Sequence, residues 1–457
     1  MSVSAGPPLV ADEVPRSIFS PGLRSASVGA AALIALLALE YIAVGAAMPT
    51  IAADLDGYHL YNMAFGATVA SSVVGMIVGG WWSDRAGPRR VTVVGVLLFT
   101  VGLVLAGLAL SMEVFVAGRA VQGLGSGLTT VAVYVVIAQR IPDARRPAVF
   151  SLLAAAWVVP GLAGPLLTGL IVEHLSWHWV FLGVAPFALL SLLVFWRALR
   201  ATHAGEETPF LRPSTILWAI VAALGVGVLN LAGERVEGAE RLIGPLVLLV
   251  VAVASWRLLP VGTLYLARGL PSVIAVRAAM GGSFLAAEAY LPLMLRDEHG
   301  YSPARAGGVL AVASVAWALG SWVQGRLGET VDRYRLMRAG VSVFAVMMVL
   351  LAVAVWASWP GWVPILVYGL ATLGVGLAYP TTTLLVMRLS PDAEIGRNSS
   401  ALQVGESLTG AVALALTGVV FGYFYATLPH VSFVGTLVVA ALVGSVAVAA
   451  AARSRPA

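Results

Sequence analysis

The sequence predicts an all-α integral membrane protein with two six-helix bundles and two further helices between them. Hydrophobic residues form 60% of the 457 residues and charged residues only 11%. Apolar stretches of about 20 residues, the length that crosses a bilayer as a helix, recur along the chain. Arginines are concentrated in alternate connecting loops. A water-soluble fold is excluded, because so few charged residues cannot cover its surface.

Fourteen apolar stretches are long enough to cross a hydrocarbon core of about 30 Å. The first half has six, at residues 27–48, 62–82, 91–110, 114–138, 148–172 and 179–199, and the second half has six more, at 271–295, 303–325, 336–356, 363–386, 399–423 and 431–451. Two central stretches, 214–232 and 242–260, complete the count. The alternative is twelve spans, with the central pair lying along the membrane surface.

The loop charges predict the orientation of the chain. The loop after the second span carries Arg85, Arg89 and Arg90, and the loops after the fourth and sixth spans are also rich in arginine. Because such loops stay in the cytosol, we expect a multi-pass protein of the inner (cytoplasmic) membrane with both termini cytosolic. The predicted divisions are a tail at 1–26, bundles at 27–200 and 271–452, a linker at 201–270 and a tail at 453–457. The first tail lacks the features of a signal peptide.

The composition argues against metal, cofactor or nucleotide chemistry. The chain has no cysteine, its six histidines are scattered, and every basic residue is arginine, so it contains no Gly-x-x-x-x-Gly-Lys phosphate loop. We therefore expect no cofactor, no metal, no nucleotide and no nucleic-acid partner. An intramembrane enzyme or a non-transporting sensor is the alternative of a different class, and the paired catalytic groups that an enzyme needs are missing.

A charged, glycine-containing motif follows the second span and reads Gly80-Trp-Trp-Ser-Asp84-Arg85-Ala-Gly87-Pro-Arg89-Arg90. It resembles the hallmark of the major facilitator superfamily, and a weaker copy follows the corresponding span of the second half. The resemblance implies two bundles that rock about a central site. Asp84 is expected either to pair with an arginine or to face a helix N-terminus, forming a cytosolic gate.

Further motifs resemble the fourteen-helix drug:proton antiporters. The first span has Glu40 nine residues before a proline, where that branch usually has Asp. The Arg119-x-x-Gln122-Gly of the fourth span is similar to a motif of the superfamily as a whole. The fifth span is similar to the antiporter motif, with matching positions at Gly161, Gly164, Pro165 and Gly169. The resemblance implies export.

Charged residues within a span normally face the bundle interior or a water-filled path. Glu40, Glu288 and Glu406 are therefore candidates for holding either a proton or a cation, and Arg119 is a candidate proton relay. Each has an alternative: a structural carboxyl for Glu40, a pair with Arg296 near the interface for Glu288, a gating ion pair for Glu406, and snorkelling to the interface for Arg119.

Trp157 and Trp317 lie deeper in their spans than most of the tryptophans and could stack on a cationic ligand, with lipid-facing packing as the alternative.

These observations favour a proton-coupled antiporter that exports small amphipathic or cationic compounds by alternating access. Its partners would be a small-molecule substrate, protons and the bilayer, and we expect a monomer. A symporter or importer of a small metabolite, or an exporter of a natural product or lipid, is the alternative.

Overall fold

The computed structural model describes residues 17–57, 60–203, 213–232, 243–301, 303–327, 330–425 and 427–456. These residues are nearly all helical, and no strand occurs among them. Helical segments lie at all fourteen predicted positions, and the sixth is broken into α6 and α7 at Gly183 and Val184.

The first half contains α1 (Arg24–Asp54), α2 (Tyr61–Ala86), α3 (Pro88–Gly107), α4 (Met112–Arg140), α5 (Arg146–His174), α6 (His178–Leu182) and α7 (Ala185–Arg200). The linker contains α8 (Pro213–Ala232) and α9 (Ile243–Leu258). The second half contains α10 (Leu270–His299), α11 (Pro303–Leu327), α12 (Arg333–Trp356), α13 (Trp362–Leu389), α14 (Ile395–Phe424) and α15 (Pro429–Ala452).

The helices have the length and surface of membrane spans. Within the described ranges, ten segments are long and apolar enough to cross a bilayer. Large hydrophobic side chains stay exposed on the outside of the bundle, among them Leu193, Trp256 and Leu442. Such a surface suits the apolar interior of a bilayer, in which a helix pairs its backbone polar groups within its own segment. The prediction of a polytopic helical membrane protein is confirmed.

Glycines allow the helices of each half to pack closely. A Cβ atom on Gly125 of α4 would overlap the backbone nitrogen of Phe99 on α3, and one on Gly127 would overlap the Ser72 carbonyl of α2. In the second half, Gly376 of α13 is held equally close to α11. Small residues at such crossings are typical of membrane helices, which associate by close van der Waals packing.

The two halves meet along two helix pairs, α2 with α14 and α5 with α11. The linker hairpin α8–α9 packs over the first pair. We call the end of the molecule that carries Arg85, Arg89 and Arg90 the Arg-rich end, and the opposite end the Arg-poor end. The helices leave a cavity between the halves.

Candidate functional site

The cavity between the halves has a volume of about 420 Å³. Helices of both halves line it, and its wall is mainly apolar and aromatic. The aromatic side chains are Tyr41, Tyr134, Phe150, Trp157, Phe284, Trp317 and Tyr379, and the polar ones include Arg277, Glu288 and Gln403. A pocket of this size and composition suits a small amphipathic molecule.

Glu288 is the carboxylate of the cavity wall. It lies on α10, one turn beyond Phe284, and among the described residues no hydrogen bond or ion pair reaches its carboxylate. Glu288 therefore does not form the ion pair with Arg296 that was the alternative. The cavity offers a carboxyl group without a described polar partner within an aromatic wall.

Glu40 points away from the cavity into the first half. Its carboxylate pairs with the guanidinium of Arg119 on α4, which also donates to Gln122 Oε1 at 2.9 Å and to the Ala64 carbonyl at 3.3 Å. Glu40 is 4% exposed and Arg119 2% exposed. Arg119 therefore does not snorkel to the interface. Tyr41, next to Glu40 in sequence, does line the cavity.

A second buried pair lies in the other half. Arg277 of α10 donates from Nε to Glu406 Oε2 of α14 at 2.7 Å, and its other nitrogens reach the Tyr379 carbonyl at 3.2 Å and Gln403 Oε1 at 3.4 Å. The guanidinium lies 3.7 Å from the centroid of the Tyr379 ring. Glu406 thus takes part in an ion pair. An ion pair was the alternative to the expectation that Glu406 holds a proton or a cation. Sequence analysis missed Arg277, although an arginine seven residues into a predicted span was a visible signal.

The two tryptophans singled out in the sequence both lie at the cavity. Trp157 packs edge-on against Tyr41, with ring centroids 6.4 Å apart. Trp317 packs edge-on against Phe284 at 5.2 Å and Tyr379 at 4.9 Å. Aromatic faces and edges in this arrangement can stack on an apolar cation.

The glycines of the antiporter motif have different surroundings. Gly161 lines the cavity. A Cβ atom on Gly164 would lie 3.2 Å from Ile42 Cγ2 of α1, whereas one on Gly169 would meet none of the described atoms within 4 Å. The side chain of Pro165 lies outside the described part of the chain. The motif therefore lets α5 approach α1 at Gly164 and borders the cavity at Gly161.

At the Arg-rich end, Asp84 joins the halves. Its carboxylate accepts hydrogen bonds from the backbone amides of Gly396 at 2.6 Å and Arg397 at 2.7 Å, in the first turn of α14. A carboxylate is stabilised there by the positive end of the helix dipole. A Cβ atom on Gly80 would lie 2.6 Å from the Gly396 carbonyl oxygen, so glycine is required for this approach. Two arrangements were expected for Asp84, a pair with an arginine or a position facing a helix N-terminus. The structure shows the second.

The rest of the loop motif shapes the turn and its surface. Gly87, with φ of 80°, ends α2 in the left-handed region that favours glycine. The guanidinium of Arg89 lies 4.8 Å from the ring of Trp196, and that of Arg85 lies 5.9 Å from the ring of Trp81. Arg90 is exposed.

A second contact between the halves at the same end, here called a joint like that of Asp84, links the loop between α4 and α5 to the start of α12. Arg333, at the start of α12, donates to the carboxylate of Asp143 at 3.0 Å and to its carbonyl at 3.0 Å. Burial alone would raise the pKa of Asp143, but the hydrogen bond and charge of Arg333, with the charges of Arg146 and Arg388, outweigh it and hold that pKa below its usual value. The cavity is thus closed towards the Arg-rich end by two joints.

Relatives of the chain carry transporter names. It is 28% identical, over 85% of both chains, to a probable multidrug-efflux transporter of Mycobacterium tuberculosis. It is also 32% identical to the acurin A biosynthesis cluster MFS-type transporter of Aspergillus aculeatus, but over 44% of this chain and only 36% of that protein's length.

The fold matches that of solved transporters. The proton:xylose symporter XylE superposes with a TM-score of 0.68, covering 94% of this chain and 95% of that one, at 16% identity. At that identity, the likeness concerns the fold alone. The family model described as Major Facilitator Superfamily matches residues 30–414. The chain belongs to the major facilitator superfamily.

Proposed function

We propose that the protein is a proton-coupled antiporter that exports small amphipathic cations by alternating access. The observation that carries this proposal is the aromatic cavity between the halves, in which the carboxylate of Glu288 has no described polar partner. A buried charge without a partner is costly, so a cationic substrate that supplies the missing charge is favoured. The name of the mycobacterial relative, a probable multidrug-efflux transporter, agrees with this substrate class.

The Glu40–Arg119 pair is the proposed proton site. Protonation of Glu40 removes its charge and leaves Arg119 buried without a counter-charge, which strains the packing of α1 against α4. Because Tyr41 follows Glu40 on α1 and lines the cavity, a shift of α1 alters the wall that holds the substrate. This link couples proton uptake to substrate release, and the proton and the substrate do not have to bind the same carboxylate.

The two joints at the Arg-rich end are the proposed gate. With the arginine-rich loops in the cytosol of the cell that makes the protein, the described conformation is closed towards the cytosol. Opening requires Asp84 to leave the start of α14 and Arg333 to leave Asp143. A single chain forms the whole cavity and gate, which is compatible with a monomer in the cytoplasmic membrane.

The proposal is tested by reconstituting the protein in liposomes with a pH gradient and adding tetraphenylphosphonium. We expect the cation to drive proton movement that is measured with a pH-sensitive dye and is absent from empty liposomes. Glu40→Gln should abolish this movement but still bind the cation. No proton movement for any of several lipophilic cations would refute the antiport.

A further inference from the structure

Arginine side chains face tryptophan rings around the Arg-rich end. The pairs include Arg85 with Trp81, Arg257 with Trp218, and Arg326 with Trp322. Tryptophan is enriched where lipid head groups meet the hydrocarbon core, and arginine extends its charge to the same level. These pairs therefore mark the level of the lipid head groups at this end of the molecule.

Two arginines converge on Trp196 of α7. The guanidinium carbon of Arg89, at the start of α3, lies 4.8 Å from the centroid of the ring, and that of Arg200, at the end of α7, lies 5.6 Å from it. The two guanidiniums are therefore at most about 10 Å apart, which is about one Debye length in dilute salt, so their like charges still repel each other. An indole ring attracts each cation but neutralises neither.

No described carboxylate balances these two charges. Among the described residues, neither Arg89 nor Arg200 forms an ion pair, and the first turn of α3 holds no acidic residue. The last turn of α7 carries a further arginine, Arg197. Asp84, five residues before Arg89, is occupied by the backbone amides at the start of α14. The surface at Trp196 thus favours an anion from outside the protein.

The same two helices continue as an apolar surface. Trp196 is half-buried and packs against the core of the first half. Leu193, nearly one turn before it on α7, is 68% exposed, and Leu97, about two turns after Arg89 on α3, is 47% exposed. Exposed apolar side chains of a spanning helix contact lipid tails. A ligand that joins an anionic head to apolar tails therefore fits this place better than a free anion.

We propose that Arg89 and Arg200, together with Trp196, bind the head group of an anionic phospholipid in the leaflet that borders the Arg-rich end. Guanidiniums donate bidentate hydrogen bonds to phosphate oxygens, and basic sites between spanning helices recognise such head groups. The tails lie along the exposed apolar surface of α3 and α7. Both arginines belong to the first half, so the lipid anchors this half and does not bridge the gate. The site is separate from the cavity and independent of the proposed antiport.

The chain provides a matched pair of double variants. Arg89→Gln/Arg200→Gln removes both charges that face Trp196. Arg90→Gln/Arg197→Gln removes the same number of charges from the same two helix ends, where neither residue contacts a ring or forms an ion pair among the described residues. All four side chains are exposed, so both variants should fold, which gel filtration verifies.

The experiment measures the binding of single lipids to the purified full-length protein by native mass spectrometry. The parent should bind phosphatidylglycerol about tenfold more tightly than phosphatidylcholine, whose phosphate is neutralised by its own choline. Arg89→Gln/Arg200→Gln should weaken the binding of phosphatidylglycerol about thirtyfold, and Arg90→Gln/Arg197→Gln should weaken it less than about threefold. An equal concentration of inorganic phosphate should not displace the lipid.

The other outcomes overturn the proposal in different ways. Equal weakening in the two double variants would mean a diffuse basic surface, and parent-like binding by Arg89→Gln/Arg200→Gln would mean that the lipid binds elsewhere. Equal affinity of the parent for the two lipids would show that the negative charge is not recognised. Displacement of phosphatidylglycerol by inorganic phosphate would show that the site takes a free anion and not a lipid.

Discussion

The carboxylate of Asp84 at the end of α2 caps the first turn of α14 through the backbone amide of Gly396, at 2.6 Å. The contact joins the two halves of the molecule by a charge at a helix end, which depends on both the charge and the close approach of Gly80. Asp84 thus contributes to closing the Arg-rich end through backbone amides, whereas the other joint at this end is the side-chain pair of Arg333 and Asp143.

Asp84→Asn keeps the side-chain shape but removes the charge that the N-terminus of α14 favours, so the closed state should lose about 1 kcal/mol. The chain has no cysteine, so a single Ser400→Cys beneath the joint reports opening by its labelling with an impermeant maleimide added on the Arg-rich side. We expect labelling to rise about fivefold. Arg90→Gln, an exposed change in the same loop, is the control, and equal rates in the two variants would contradict the role of Asp84.

The joint between Arg333 and Asp143 should be insensitive to pH near neutrality. The pKa of Asp143 in the closed state is held below its usual value, so the contribution of its charge is complete above about pH 4 and is lost only as the pH falls through the lowered pKa. The ratio of the Ser400→Cys labelling rates with Asp143 replaced by Asn and with Asp143 present should therefore be the same at pH 5 and pH 8, because the ratio cancels the pH dependence of the thiol itself. Asp143→Asn should raise the rate at both values, and an effect confined to pH 8 would argue against the lowered pKa, because a carboxyl with a higher pKa is already neutral at pH 5.

The Glu40–Arg119 ion pair should make the stability effects of the two residues interdependent. Replacing one residue should cost more stability than replacing both. Glu40→Gln leaves a buried guanidinium without its counter-charge and should destabilise the protein by about 3 kcal/mol. The double variant Glu40→Gln/Arg119→Gln should recover most of this loss in a thermal unfolding assay, but not proton coupling. A double variant less stable than Glu40→Gln would mean that the two residues act independently.

Transport should depend on the planar guanidinium of Arg277. Arg277→Lys keeps the charge, but a single ammonium cannot reach Glu406, Gln403 and the Tyr379 carbonyl together. Transport should fall about tenfold, while melting stays near the parent value because the buried charge pair persists. Arg338→Lys, on α12 and remote from the cavity, is the control, and full transport by Arg277→Lys would limit Arg277 to a structural role.

The fold was predictable because two sequence signals have a direct physical meaning. The length of an apolar stretch indicates whether a helix can cross the bilayer, and the arginines of the loops indicate on which side of the membrane each loop is expected. The bundle interior was less predictable. Glu40 and Tyr41 are neighbours in an apolar span, yet one faces Arg119 and the other faces the cavity. When all faces of a helix are apolar, the sequence carries little information about its rotation. The packing of α8 and α9 over α2 and α14 depends on tertiary contacts between distant segments.

Glu288 and Glu298 lie on the same helix, and only the first faces the cavity, while Glu298 pairs with His430 near the Arg-poor end. The most direct measurement is the binding of tetraphenylphosphonium to purified parent, Glu288→Gln and Glu298→Gln proteins by tryptophan quenching. We expect Glu288→Gln to weaken binding about tenfold or more, the cost of losing one charged partner in a desolvated site, and Glu298→Gln to bind like the parent. Parent-like binding by Glu288→Gln would contradict a cation site at Glu288.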